Sequence, residues 1–148
     1  MADFEQVEIL LVEDSPADAE MTLRALRRNN LANRVHWVKD GAEALDYMSC
    51  AGAYAARDRA NGPKLVMLDI KMPKIDGIEV LRRLKGEPAT RNIPVVIMTS
   101  SNEEGDVVKS YRLGVNSYIV KPLDFSAIAD VVRQAGFYWL VINRTPAG

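Results

Sequence analysis

Glu13 and Asp14 close one apolar run, Val7 to Val12, and Asp69 closes another, Leu65 to Leu68. If the two runs are neighbouring parallel strands, three carboxylates meet at one sheet edge. Each pair of charges at ~4 Å costs about 4 kcal/mol at an effective dielectric near 20, so the site asks for a divalent cation or a raised pKa. A hydroxyl, Thr99, and an ammonium, Lys121, each follow a later apolar run. These types fit one reaction, in which a carboxylate attacks phosphorus and carries the phosphoryl group as an acyl phosphate. A magnesium ion, a lysine and a hydroxyl donor stabilise the equatorial oxygens of such a transfer. Asp69 is then the nucleophile, and Asp14 and Glu13 hold the metal.

The chain must set these groups on one edge. Short Val/Ile/Leu-rich runs alternate with amphipathic stretches, the pattern of a parallel sheet covered by helices on both faces, and five such pairs are present. The first strand, about 7–13, leads to a helix with Ser15 as N-cap and Pro16 at its first position. That helix runs to about Asn30, with Leu23, Ala25 and Leu26 available for burial. Residues 34–39 form the second strand, and Asp40 to Glu43 read as a capping box for a helix ending near Ala51. The connection over 52–63 is longer than such folds usually need, which makes it a candidate contact loop or a plain surface insertion. Strand three covers 64–69, its helix about 77–86, and strand four Ile93 to Met98, entered through Pro94. Thr99 to Asn102 then cap a fourth helix, Tyr118 to Val120 form the fifth strand, and Asp124 opens a last helix reaching about Ile142. The carboxyl ends of strands one, three, four and five thus carry the candidate residues, where open α/β sheets bind ligands.

With 148 residues and a net charge of −1, the chain suits one compact domain. Neither a basic excess nor a charge block points to nucleic acid or an anionic membrane. Met1 to Gln6 lacks the segments of a signal peptide, and no apolar run approaches about 20 residues, so a cytoplasmic location is expected. The single cysteine, Cys50, excludes an internal disulfide, and the single histidine, His36, leaves no zinc motif. Cys50 is expected to be a small apolar filler and His36, beside Trp37, a structural residue. The site residues have structural alternatives: Glu13 and Asp14 as helix caps, Asp69 as a turn residue, Thr99 as an N-cap, Lys121 as a solvated charge.

Together LLVEDSPAD, VMLDIKMPKIDGIEVL, PVVIMTSS and SYIVKP resemble the receiver domain of two-component response regulators, over nearly the whole chain. The resemblance implies a doubly wound, flavodoxin-like α/β fold, its five-stranded parallel sheet in the order 2-1-3-4-5 between five helices. It implies one receiver over 1–148, with a core of about 5–135 and a C-terminal extension of about 136–148. Asp69 matches the phosphoacceptor, Asp14 the direct Mg2+ ligand, Glu13 the acid that reaches the metal through water, and Lys71 the backbone-carbonyl ligand. Thr99 and Lys121 match the switch hydroxyl and the phosphoryl-pairing lysine, Tyr118 the aromatic switch, and Lys121-Pro122 is expected to be a cis peptide. The Lys71 side chain and Ser101 would flank the path of the hydrolytic water. The implied partner is a sensor histidine kinase, and no enzyme turnover is expected beyond self-phosphorylation and slow self-hydrolysis. A haloacid-dehalogenase-type phosphatase would carry Asp-x-Asp where this chain has Asp69 and Lys71, and a flavodoxin-like carrier would place phosphate where Glu13 and Asp14 repel it. The remaining alternatives are a phosphorelay intermediate and a phosphorylation-independent interaction module.

The last helix begins with a one-sided stripe, Ile128, Val131, Val132, Ala135 and Trp139, but Phe137 to Ile142 is apolar all round. Such a segment asks for a partner surface. A homodimer through this helix and the fifth strand is expected, with Phe137, Tyr138 and Trp139 near its centre; the alternative is a tail folded onto its own monomer. The aromatic tail and the 52–63 loop resemble the single-domain regulators paired with phytochrome kinases, which implies a light-sensing kinase. With no output domain expected after the helix, output falls to protein contacts on the fourth helix, fifth strand and fifth helix, biased through Thr99 and Tyr118.

Overall fold

The apolar runs fold as strands because both of their faces are covered. A computed structural model of the chain describes residues 9–28, 34–57, 62–99, 109, 112–115 and 117–120. The order is β1 (Ile9–Val12), α1 (Pro16–Arg28), β2 (Val35–Val38), α2 (Gly41–Ser49), a 3-10 turn (Gly52–Tyr54), β3 (Leu65–Asp69), α3 (Gly77–Gly86), β4 (Val95–Thr99) and β5 (Ser117–Val120). All strand pairs are parallel, and the five-stranded sheet has the order β2-β1-β3-β4-β5. Ile9, Leu11, Leu65, Met67, Val96 and Met98 pack with Ala19, Ala25 and Leu26 of α1. The alternate residues, Leu10, Val12, Val66, Leu68, Val95 and Ile97, pack with Ala44, Tyr47 and Met48 of α2 and Val80, Leu81 and Leu84 of α3. Central strands buried on both faces need apolar residues at every position, which is why these runs are continuous rather than alternating.

Local signals set the helix starts. Ser15 Oγ accepts from the Asp18 N–H at 3.2 Å, and Asp40 and Asp76 accept from the N–H groups of Glu43 and Glu79 at 2.8 and 2.9 Å. The expected capping box closes one residue earlier than its usual form, because the Glu43 carboxylate accepts from the Lys39 N–H rather than from Asp40. Strand four starts later than the apolar run suggests: Pro94 has no N–H to give a ladder, so β4 begins at Val95, and Pro94 contributes only its carbonyl, to the Val66 N–H at 2.9 Å. Cys50 is a correction. It is not an apolar filler but the partly exposed, left-handed C-cap of α2 (φ 55), its N–H turned back to the Asp46 and Tyr47 carbonyls.

In the described part of the 52–63 connection, Gly52, Ala53, Ala55 and Ala56 are exposed while Tyr54 and Arg57 turn inward. Tyr54 donates its phenol proton to Glu43 at 2.7 Å, and its oxygen lies 3.0 Å from His36 Nε2. With that proton committed, the imidazole is the donor in the second bond. His36 stacks on Tyr47 with ring centres 4.8 Å apart, and Arg57, buried, donates Nε–H to the Tyr47 carbonyl while its guanidinium lies 4.3 Å from the Tyr47 ring centre. His36 is structural, as expected. The expected fourth and fifth helices fall largely or wholly outside the described residues.

Candidate functional site

Two neighbouring strands, β1 and β3, carry the acids. β2 lies beyond β1, and β4 and β5 lie beyond β3, so the chain changes direction across the sheet between them, the topological switch point where open α/β sheets bind ligands. Val12 stands opposite Leu68 in the ladder, and the next residue of each strand line is an acid. Carboxylate oxygens of Glu13, Asp14 and Asp69 all lie within 4.8 Å of one another. Glu13 is fully buried, Asp69 is only 4% exposed, and Asp14 faces solvent. Such hard oxygen donors suit a divalent cation, with an open side for water and a phosphoryl ligand. A cation also relieves the mutual repulsion of charges this close.

The backbone around the acids is tightly held. The Ser15 N–H donates to Glu13 Oε2 at 3.1 Å, so Glu13 braces the start of α1 while Ser15 itself caps it. The Glu13 N–H joins the Val38 carbonyl at 3.1 Å, and its carbonyl accepts from the Trp37 indole N–H at 2.7 Å. Beyond Asp69, the chain turns through Ile70 and Met72, both buried, and Lys74, which adopts φ 67, before Gly77 N–H closes on the Ile70 carbonyl at 2.7 Å. A Cβ on Gly77 would stand 2.2 Å from the Asp69 carbonyl oxygen, and one on Gly41 would stand 2.5 Å from the Ile75 carbonyl oxygen. Two glycines therefore let α3 and α2 close on the β3–α3 loop from either side.

The receiver domain model of the response regulators matches residues 9–133. The chain belongs to the response regulator receiver family. FilR2 of Methanothrix harundinacea, described as a probable methanogenesis regulatory protein, is 41% identical over 93% of this chain and 86% of its own. Response regulator Rcp1 of a Synechocystis strain is 36% identical over 94% of this chain and 92% of its own. The structure of the bacteriophytochrome response regulator AtBRR superposes with a TM-score of 0.79 at 49% identity, covering 91% of this chain and 96% of that one. The protein is thus a phosphoacceptor response regulator with a histidine kinase as its phosphodonor.

In this receiver, the acids Glu13, Asp14 and Asp69 converge as the sequence suggested. Lys71 lies exposed in the loop two residues after Asp69. Thr99 is the last residue of β4, opposite Val120, and Tyr118 stands opposite Ile97 in β5; the side chains of both, and the helix start that Thr99 to Asn102 were expected to cap, lie outside the described part. Lys121, Phe137, Tyr138 and Trp139 lie outside the described residues. Trp37, Gly41 and Gly77 are the site-supporting residues that sequence reasoning missed. Gly77 follows Asp76 in the quoted motif, but nothing in that spacing reveals which backbone it faces. No helix among the described residues is long and apolar enough to cross a membrane.

Proposed function

We propose that Asp69 takes the phosphoryl group from the kinase's phosphohistidine, with Mg2+ held by Glu13, Asp14, Asp69 and the Lys71 main-chain carbonyl. The observation that carries this is the convergence of three carboxylates, one from β3 and two from the end of β1, within 4.8 Å. Bound Mg2+ would supply charge neutralisation for the incoming phosphoryl oxygens. A carboxylate oxygen of Asp69 bonds to phosphorus as the phosphorus–nitrogen bond to the donor histidine breaks, and the imidazole leaves with a proton. Thr99 and Lys121 pair with the phosphoryl oxygens from β4 and the end of β5, and Tyr118 answers the movement of Thr99, altering the face that partners read. The chain works as one receiver unit over 1–148 and turns over no free substrate beyond gaining and losing its own phosphoryl group.

The similarity to the bacteriophytochrome response regulator AtBRR supports a phytochrome-type kinase as the partner. The apolar Phe137 to Ile142 segment supports a homodimer centred on Phe137, Tyr138 and Trp139. The metal assignment is tested with a small-molecule phosphodonor: labelling is expected to stop with a chelator and to fall steeply in Asp14→Asn. Labelling that persists at the wild-type rate in both conditions overturns the metal assignment.

A further inference from the structure

The peptide unit between Glu13 and Asp14 joins the two acids that the proposed Mg2+ site draws from β1. It is planar, so holding its carbonyl holds the whole plane and limits the rotations at Glu13 and Asp14 that set where the two side chains leave the backbone. That carbonyl is taken at 2.7 Å by the indole N–H of Trp37, a residue near the end of the neighbouring strand. The ring is not free to follow a moving loop. It is half-buried and packs on the α1 side of the sheet, against the core built from Ile9, Leu11, Ala25 and Leu26. The other polar group of the Glu13 backbone, its N–H, is tied to the same strand through Val38, and the Glu13 carboxylate is tied to the Ser15 N–H. The Glu13 N–H continues the ladder to β2 by one bond beyond Val12, the last residue of β1, while the Glu13 carbonyl leaves that ladder for the indole.

We propose that Trp37 is a positioning residue for divalent cation binding, acting through the Glu13 carbonyl to fix the Glu13–Asp14 peptide in the orientation that brings both carboxylates to Asp69. The inference rests on the metal site of the proposed function. The indole N–H also reports on the site without any movement of the peptide, because a cation held by the Glu13 and Asp14 carboxylates polarises the carbonyl to which that N–H donates.

The test is a Mg2+ titration of wild type, Trp37→Phe and Asp14→Asn, with an NMR spectrum of the indole N–H groups. Phe keeps most of the buried ring and removes the donor. Loss of a group that orients metal ligands typically weakens affinity by about tenfold or more, and a fall of that order is expected in Trp37→Phe. The wild-type Trp37 indole signal is expected to shift along the titration, with the same midpoint as the bound metal. A purely structural tryptophan would lower the urea midpoint of Trp37→Phe without moving Mg2+ affinity, so affinity within about twofold of wild type in the folded variant overturns the proposal. If the variant does not fold, the wild-type indole decides: a signal unmoved at saturating Mg2+ overturns it, and one that tracks binding upholds it. Failure of the underlying reading looks different, with Mg2+ binding absent from wild type or unchanged in Asp14→Asn.

Discussion

Replacing Gly77 by alanine tests whether the β3–α3 loop is held as closely as the geometry states. The added Cβ would lie 2.2 Å from the Asp69 carbonyl oxygen, 2.6 Å from Ile70 Cα and 2.9 Å from the Asp69 carbonyl carbon, all of them backbone atoms with no rotamer to escape into. Overpacking of this kind costs about 1–3 kcal/mol. The shift that relieves it also lengthens the 2.7 Å bond from Gly77 N–H to the Ile70 carbonyl, and such a bond contributes about 0.5–1.5 kcal/mol. Together the expected loss is about 2–4 kcal/mol. With a urea slope of about 2 kcal/mol/M, the midpoint falls by about 1–2 M. Gly86 supplies the control: it ends α3 with nothing within 4 Å of its would-be Cβ. There alanine removes only the backbone freedom of the unfolded chain, and Gly86→Ala is expected to stabilise by about 0.5–1 kcal/mol. Because the Asp69 carbonyl is the atom struck, Gly77→Ala is also expected to slow phosphorylation under conditions where it remains folded. A Gly77→Ala midpoint equal to or above wild type, with an unchanged phosphorylation rate, would refute the close-approach argument.

His36 makes stability depend on pH. Burial, with Arg57 adding to it and Glu43 opposing it, holds its pKa below the ordinary 6.5. The unfolded chain therefore takes up the proton first, and stability present above pH 6.5 is lost as the pH falls through the folded value. As the chain has one histidine, a single imidazole titration by NMR together with urea midpoints on either side of that window checks this, and His36→Gln is expected to flatten the contribution. Tyr54→Phe removes the bonds to Glu43 and His36 while keeping the ring against Tyr47, for an expected loss of about 1–2 kcal/mol; a denaturation curve superimposable on wild type would contradict the anchoring of the connection through Tyr54.

Much of this was legible in the sequence because the signals are local or periodic. Continuous apolar runs identified strands buried on both faces, and Ser15 and Asp40 marked helix starts with side chains whose only requirement is a backbone N–H three residues on. The acids at the ends of β1 and β3 could be brought together on paper because parallel neighbours align their carboxyl ends. What stayed hidden depends on which atoms meet across the fold. The letter Gly at 41 and 77 does not reveal a carbonyl oxygen standing where a Cβ would be. Trp37 reads as one more apolar strand residue until its indole is found on the Glu13 carbonyl. Cys50 resembles a core residue by type, yet the end of α2 needs a left-handed residue there, and burial loses to that backbone demand.

In the proposed function the buried carboxylate of Asp69, set beside Glu13 and Asp14, is the group that carries phosphate. The most direct measurement is the intact mass of wild type and Asp69→Asn after incubation with Mg2+ and a small-molecule phosphodonor. One phosphoryl group is expected on wild type, dependent on Mg2+, and none on the asparagine variant, which should remain folded. A folded Asp69→Asn protein that gains the phosphoryl group as wild type does would contradict it.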